Sequence, residues 1–257
     1  MEYKISDHIK TRASLAVLAI DDYTNRVISD GSVLISVEGA ARPVRKSEGY
    51  YIFLNLEQSR VDLTIKSERY ATEKRSIDLN TLSRTDPVIK IRLKPGRNYA
   101  LLSGTTCLTG TAQPLSEIRV VCEKMQKYYR LLYDYDRELN KEEIYLFNPE
   151  KADMDGKLFV IRGKEDDGRE SFHIISTVNR ENNLYQMEGA LKSSYKKVGT
   201  KVFPVFSTKA DEKGEYFIPI WNLGEEAVSC SCSMLGSEEA ERNITLETGR
   251  LNRLNFI

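Results

Sequence analysis

The chain has 257 residues, enough for one large or two to three small domains, and its 38 basic and 38 acidic side chains balance to a formal net charge of zero. Without a cationic excess to neutralise phosphates, neither nucleic acid nor an acidic membrane surface is expected as a partner. No apolar run approaches the roughly 18–20 residues of a membrane-spanning helix.

Residues 1–8 lack the basic start, apolar centre and small-residue cleavage site of a secretory signal. The expectation is synthesis in the cytoplasm with incorporation into an exported or virion-like particle; a mature chain already freed of its signal would read the same. Residues 15–20 form a short apolar run, read as a buried first strand, and the turn-rich 21–26 follow. Residues 32–37 give a second strand, Gly39 and Pro43 break the chain, and 50–54 resume the sheet. In Val61-Asp62-Leu63-Thr64-Ile65-Lys66 apolar and polar residues alternate strictly, which places one face on a core and the other in water. Residues 76–79 and 88–93 repeat that alternation, and Lys94-Pro95-Gly96 closes the module. About seven short strands separated by turn signals is the pattern of a β-sandwich.

Part of this module recurs. Asn55-Leu56, Val61-x-Leu63-x-Ile65 and Arg75-x-Ile77-x-Leu79 reappear without a gap as Asn222-Leu223, Val228-x-Cys230-x-Cys232 and Arg242-x-Ile244-x-Leu246. Upstream, Gly49-x-Tyr51-x-Phe53 reappears as Gly214-x-Tyr216-x-Ile218. Two copies of one β module follow. Residues 214–257 supply only the later strands of the second copy, so its opening strands are expected at 99–104 and 118–122, with a turn at 111–115. The expected fold is all-β: a sandwich over 1–95, a discontinuous second sandwich over 96–126 and 207–257, and an insertion over 127–206 at a loop tip. The insertion carries strand-like segments at 129–133, 144–147, 157–161, 171–175, 184–187 and 201–206, which suggest a small closed barrel. Helix is limited to short pieces near Glu117, at 140–143 and at 188–195.

At Thr208-Lys209-Ala210-Asp211-Glu212-Lys213-Gly214-Glu215-Tyr216-Phe217 the second copy resembles the carboxypeptidase regulatory-like, or transthyretin-like, sandwich family, with its Thr, its Asp-x-x-Gly turn and its aromatic strand. Leu246-Glu247-Thr248-Gly249 fits the closing strand of that family, and Gly104 with Gln113-Pro114-Leu115 fits its opening. The first copy departs from it, since Ser47-Glu48-Gly49 replaces the acidic turn while Tyr51 and Phe53 remain. The resemblance implies structural, adhesive or carbohydrate-contacting accessories and brings no catalytic residues. The insertion resembles small β-barrel modules of phage-tail and contractile-injection baseplate proteins, through Arg169-Glu170-Ser171-Phe172-His173-Ile174 and the Leu191 to Gly199-Thr200-Lys201-Val202 stretch. That resemblance implies other protein subunits as partners.

Chemistry-bearing patterns are few. The two histidines, His8 and His173, show no spacing to a nucleophile or a second ligand, and His173 reads as a strand residue. Asp134-x-Asp136, Asp153-x-Asp155-Gly156 and Glu165-Asp166-Asp167-Gly168 are read as turn and strand-end acids, because an EF-hand needs a third ligand before its glycine. Cys107, Cys122, Cys230 and Cys232 have neither the density of a disulfide framework nor zinc spacing and are read as core thiols. Asn243-Ile244-Thr245 matches a glycosylation sequon on a surface strand. Trp221, with Tyr185 and Tyr195 of the insertion, forms the candidate contact set for a partner or a sugar ring, although core packing is the favoured reading of Trp221 because Leu54 holds its place in the first copy. No catalytic, metal or cofactor residue is assigned. The leading expectation is a non-enzymatic subunit of a phage-tail-like or contractile-injection assembly; the alternative is a carbohydrate-binding or cell-surface adhesion module.

Overall fold

A computed structural model of the chain describes residues 12–125, 128–164, 169–236 and 239–257. His8 and the Glu165 to Gly168 turn lie outside the described residues. Among the described residues the regular secondary structure is almost wholly strand, and the chain divides into two compact units, Met1–Tyr99 and Ala100–Ile257.

The first unit contains β1 (Ala13–Asp21), β2 (Leu34–Val37), β3 (Val44–Arg45), β4 (Tyr50–Leu54), β5 (Arg60–Lys66), β6 (Glu73–Asp78) and β7 (Val88–Leu93). They form two sheets, β3-β4-β1-β7 and β2-β5-β6, with β1 and β7 parallel. One core joins the sheets: Leu15, Val17 and Phe53 from the first meet Ile35, Leu63 and Ile65 from the second. The strict alternation in β5 buries Val61, Leu63 and Ile65 and leaves Asp62 and Lys66 in water. Tyr99 packs against this core too, so the unit runs a few residues beyond Lys94-Pro95-Gly96.

The second unit contains β8 (Thr106–Thr111), β9 (Glu117–Val121), β10 (Arg130–Leu131), a one-turn helix α1 (Arg137–Asn140), β11 (Glu143–Phe147), β12 (Lys157–Arg162), β13 (Arg169–Asn179) and β14 (Leu184–Met187). It continues with β15 (Lys201–Lys209), β16 (Glu215–Ile220), β17 (Ala227–Leu235), β18 (Ala240–Glu247) and β19 (Leu251–Arg253). The repeat is visible in its topology. β8 lies between β16 and a parallel β19, as β1 lies between β4 and a parallel β7, while β9-β17-β18 follows the order of β2-β5-β6. Asn55 and Asn222 hold the same left-handed turn after the equivalent strands β4 and β16, at φ 51° and 61°, a conformation that asparagine tolerates better than most residues.

The copies differ in register. Leu63 faces Arg75 in the first, whereas its counterpart Cys230 faces Ile244, and it is Cys232 that faces Arg242. A slide of two residues returns every side chain to its original face, so the gapless sequence match survives the slide.

Three expectations are corrected by the structure. The opening strand of the second copy is β8 rather than 99–104, where Leu102 is exposed to solvent and no strand forms. Cys122 and Cys230 are not free core thiols. They form a disulfide, with sulfurs 2.18 Å apart, between the end of β9 and its neighbour β17. Cys107 and Cys232 remain free and buried, and burial raises their thiols to about 11 and about 12. Helix is also less extensive than expected: Glu117 begins a strand, residues 188–195 are non-helical, and α1 lies just upstream of 140–143.

Strands β10, β11, β14, β13, β12 and β15 follow one another in a single sheet. Tyr129 and Val202 exchange two backbone hydrogen bonds of 2.8 and 2.9 Å, joining the first of these strands to the last and closing a barrel. Its interior holds Ile144, Leu146, Phe159, Ile161, Ile174 and Met187. Strand β15 pairs with β12 through residues 201–204 and with β9 through residues 205–209, so it passes from barrel wall into sandwich without a linker. Arg169 reinforces the join, donating to Ser231 Oγ at 2.8 Å and approaching Glu123 at 3.6 Å.

Candidate functional site

Of the residues singled out from sequence, Tyr185 and Tyr195 are buried and Trp221 is half-buried. Tyr185 is 2% exposed in the barrel core, where its hydroxyl accepts from Asn148 Nδ2 at 3.0 Å. Tyr195 is similarly buried and donates to Glu170 Oε1 at 2.7 Å; that carboxylate also accepts the amides of Lys192 and Ser193. Burial, followed by the hydrogen bond to Glu170 and then its charge, raises the Tyr195 phenol well above its ordinary value. Trp221 packs on the second sandwich core, with its ring edge-on to Phe206 at 4.6 Å. These three rings belong to two different cores and form no common surface.

The acids read as turn residues serve local structure. Asp136 caps α1 by accepting the amides of Glu138 and Leu139, as expected of an N-cap carboxylate. Asp134 accepts the Lys197 amide at 2.7 Å, and Asp155 accepts the Thr177 hydroxyl at 2.7 Å. His173 lies on β13, half exposed, with Nδ1 3.1 Å from Glu188. In the first unit, Asp21 is 6% exposed and accepts the amides of Tyr23 and Thr24 and the phenols of Tyr70 and Tyr99.

A surface groove of about 630 Å³ lies on the outer wall of the barrel, lined by Leu132, Tyr133, Asn140, Tyr145, Glu181, Asn182 and Asn183. Alternation along β11 builds its floor: Ile144 and Leu146 point into the barrel, so Tyr145 points out. The Leu132 amide donates to the Tyr145 carbonyl at 3.0 Å. Its neighbour Tyr133, 63% exposed, meets the Tyr145 ring edge-on at 5.2 Å. The β13–β14 turn supplies the opposite lip. Asn179 Oδ1 accepts the amides of Glu181 and Asn182, both at 3.0 Å, while Asn183 takes a left-handed φ of 53° and its carbonyl accepts the Leu146 amide. From the helix side, Asn140 Oδ1 accepts the Asp136 amide at 2.7 Å. The groove thus combines two aromatic rings, three amide side chains and one carboxylate on a hydrogen-bonded frame.

Sequence reasoning missed this surface. Asn182 and Asn183 were legible only as a turn, and the outward position of Tyr145 between two buried aliphatic residues was the one available signal.

Neither a family model nor a curated protein matches the chain. Among solved structures, similar chains include the major pilin subunit BcpA of Bacillus cereus, at 11% identity and a TM-score of 0.26, covering 93% of this chain and 69% of that one. The minor pilin GBS52 of Streptococcus agalactiae aligns at 10% identity and a TM-score of 0.22, covering 94% and 93% of the two chains. The shaft pilin SpaA of Lactobacillus rhamnosus GG, as its E269A mutant, aligns at 10% identity and a TM-score of 0.20, covering 95% and 96%. Superpositions this loose carry no argument about activity, and the sandwich architecture rests on the strand order and cores of the chain itself.

Proposed function

We propose that this chain is a non-enzymatic structural and interaction subunit of an exported or cell-surface assembly, with the sandwiches as scaffold and the outer wall of the barrel as contact surface. The observation that carries this reading is the Cys122–Cys230 disulfide within the core of the second unit. Disulfides persist in oxidising compartments and are rare where glutathione and thioredoxin keep thiols reduced. That favours the adhesion-type alternative over a phage-tail-like particle built in the cytosol. The buried Asp21 and the half-buried Glu170 support a structural role, since both are already engaged as acceptors for phenols and backbone amides.

Thiol counting on protein from its native source tests the reading. Alkylation in denaturant without reductant should label Cys107 and Cys232 and spare Cys122 and Cys230, and the protein should fractionate with the cell envelope or the medium. Labelling of all four cysteines, or a wholly cytosolic location, would overturn it.

A further inference from the structure

The barrel groove has a chemistry of its own. Its lining residues contribute one carboxylate and no cation, which disfavours phosphate, sulfate and other anionic ligands. The Asn182 and Asn183 amides, each with a donor and an acceptor, the Asn140 Nδ2 donor and two phenols offer mixed hydrogen bonding suited to hydroxyl groups that both donate and accept. The two tyrosines supply apolar ring surface beside those polar groups, the pairing that lets a site grip a ligand with an apolar face and a polar rim. A peptide would need other features. Strand addition requires a free sheet edge, and helix docking requires an apolar groove. Here β11 is paired on both sides, by β10 and β14, and Leu132 is the sole aliphatic residue in the lining.

The frame is ordered before any ligand arrives. Asn179, Asp136 and the β11–β14 ladder fix the segments that carry the amides, so little conformational freedom remains to be lost on binding. An aromatic surface extends past the groove along the same face: Phe147 is two residues from Tyr145 on β11 and lies under the Arg130 guanidinium at 5.5 Å.

We infer that the groove lined by Tyr133, Tyr145, Asn140 and Asn182 binds a neutral oligosaccharide. The inference goes beyond the assembly reading and stands without it. The test is a glycan array probed with the full chain, followed by calorimetric titration of the best hit. Binding to neutral glycans is expected, with Tyr133→Ala and Asn182→Ala each weakening the titrated affinity about tenfold and Trp221→Phe leaving it unchanged. Both groove positions are solvent-exposed, so far-UV circular dichroism should show each variant folded; the two positions provide independent readings. The inference is overturned if no neutral glycan binds, if only acidic glycans bind, or if both groove variants bind as tightly as the parent. Loss of protein capture in the groove variants without any glycan binding would assign the groove to a protein partner and would equally overturn it.

Discussion

At the scale of single residues, the molecule is held by a few polar side chains that each satisfy several neighbours. Asp21 is the densest case, with two amides and two phenols converging on one buried carboxylate. Asp21→Asn removes the charge and turns one acceptor atom into a donor facing other donors. The expected cost is about 3 kcal/mol, read from chemical denaturation of the first unit. A loss below about 0.5 kcal/mol would show that the cluster does not depend on charge. Gly214 is a different case. Its φ is +80°, and a Cβ there would stand 2.3 Å from the Ala112 carbonyl oxygen. Gly214→Ala should therefore destabilise the second unit by about 2 kcal/mol or more, with the loss visible in the Trp221 fluorescence transition. Trp221 is the only tryptophan of the chain and packs on that core, so its emission reports this unit.

At the scale of elements, the disulfide has the largest expected effect. It joins residues 108 apart in sequence, and closing a loop of about that length restricts the unfolded chain by roughly 4–5 kcal/mol in the entropy model. A Cys122→Ala/Cys230→Ala variant should unfold at lower denaturant than the oxidised parent and coincide more closely with the reduced one. Equal midpoints for parent and variant would contradict the bond. How much of the elements could be read beforehand depended on alternation. β5 and β17 alternate cleanly, bury one face each, and were legible. β8 was not, because Thr106 to Thr111 carries little apolar signal while the preceding Leu101-Leu102 carries more. What makes β8 a strand is its place between β16 and β19, with Gly110 leaving room for the Leu254 carbonyl; a Cβ there would lie 1.7 Å from that oxygen. The disulfide was hidden for a related reason. Cys122 and Cys230 become neighbours only through the pairing of β9 with β17, which follows from the completed second sandwich. The groove was equally dependent on pairing, since β11 and β14 must meet before Tyr145 and Asn182 share a surface.

At the scale of the whole molecule, buried tyrosines set the response to alkali. The phenols of Tyr70, Tyr99, Tyr195 and Tyr216 are all raised from their ordinary value of 10.0, with burial the first cause in each; Asp21 adds to the shift of Tyr70 and Tyr99. A phenol raised in this way holds its proton longer in the folded chain than in the unfolded one. Its contribution is intact below about pH 10 and is lost as pH climbs through the folded value. These tyrosines should therefore ionise together with the loss of far-UV circular dichroism. A smooth titration of all 14 tyrosines near pH 10 with the fold retained would refute this.

The path of β15 has a mechanical consequence. A single strand hydrogen-bonded to β12 at one end and to β9 at the other leaves no unpaired residue between them to act as a hinge. A load applied to the barrel wall is transmitted along the backbone of β15 into the second sandwich, with the two sets of ladder bonds sharing it.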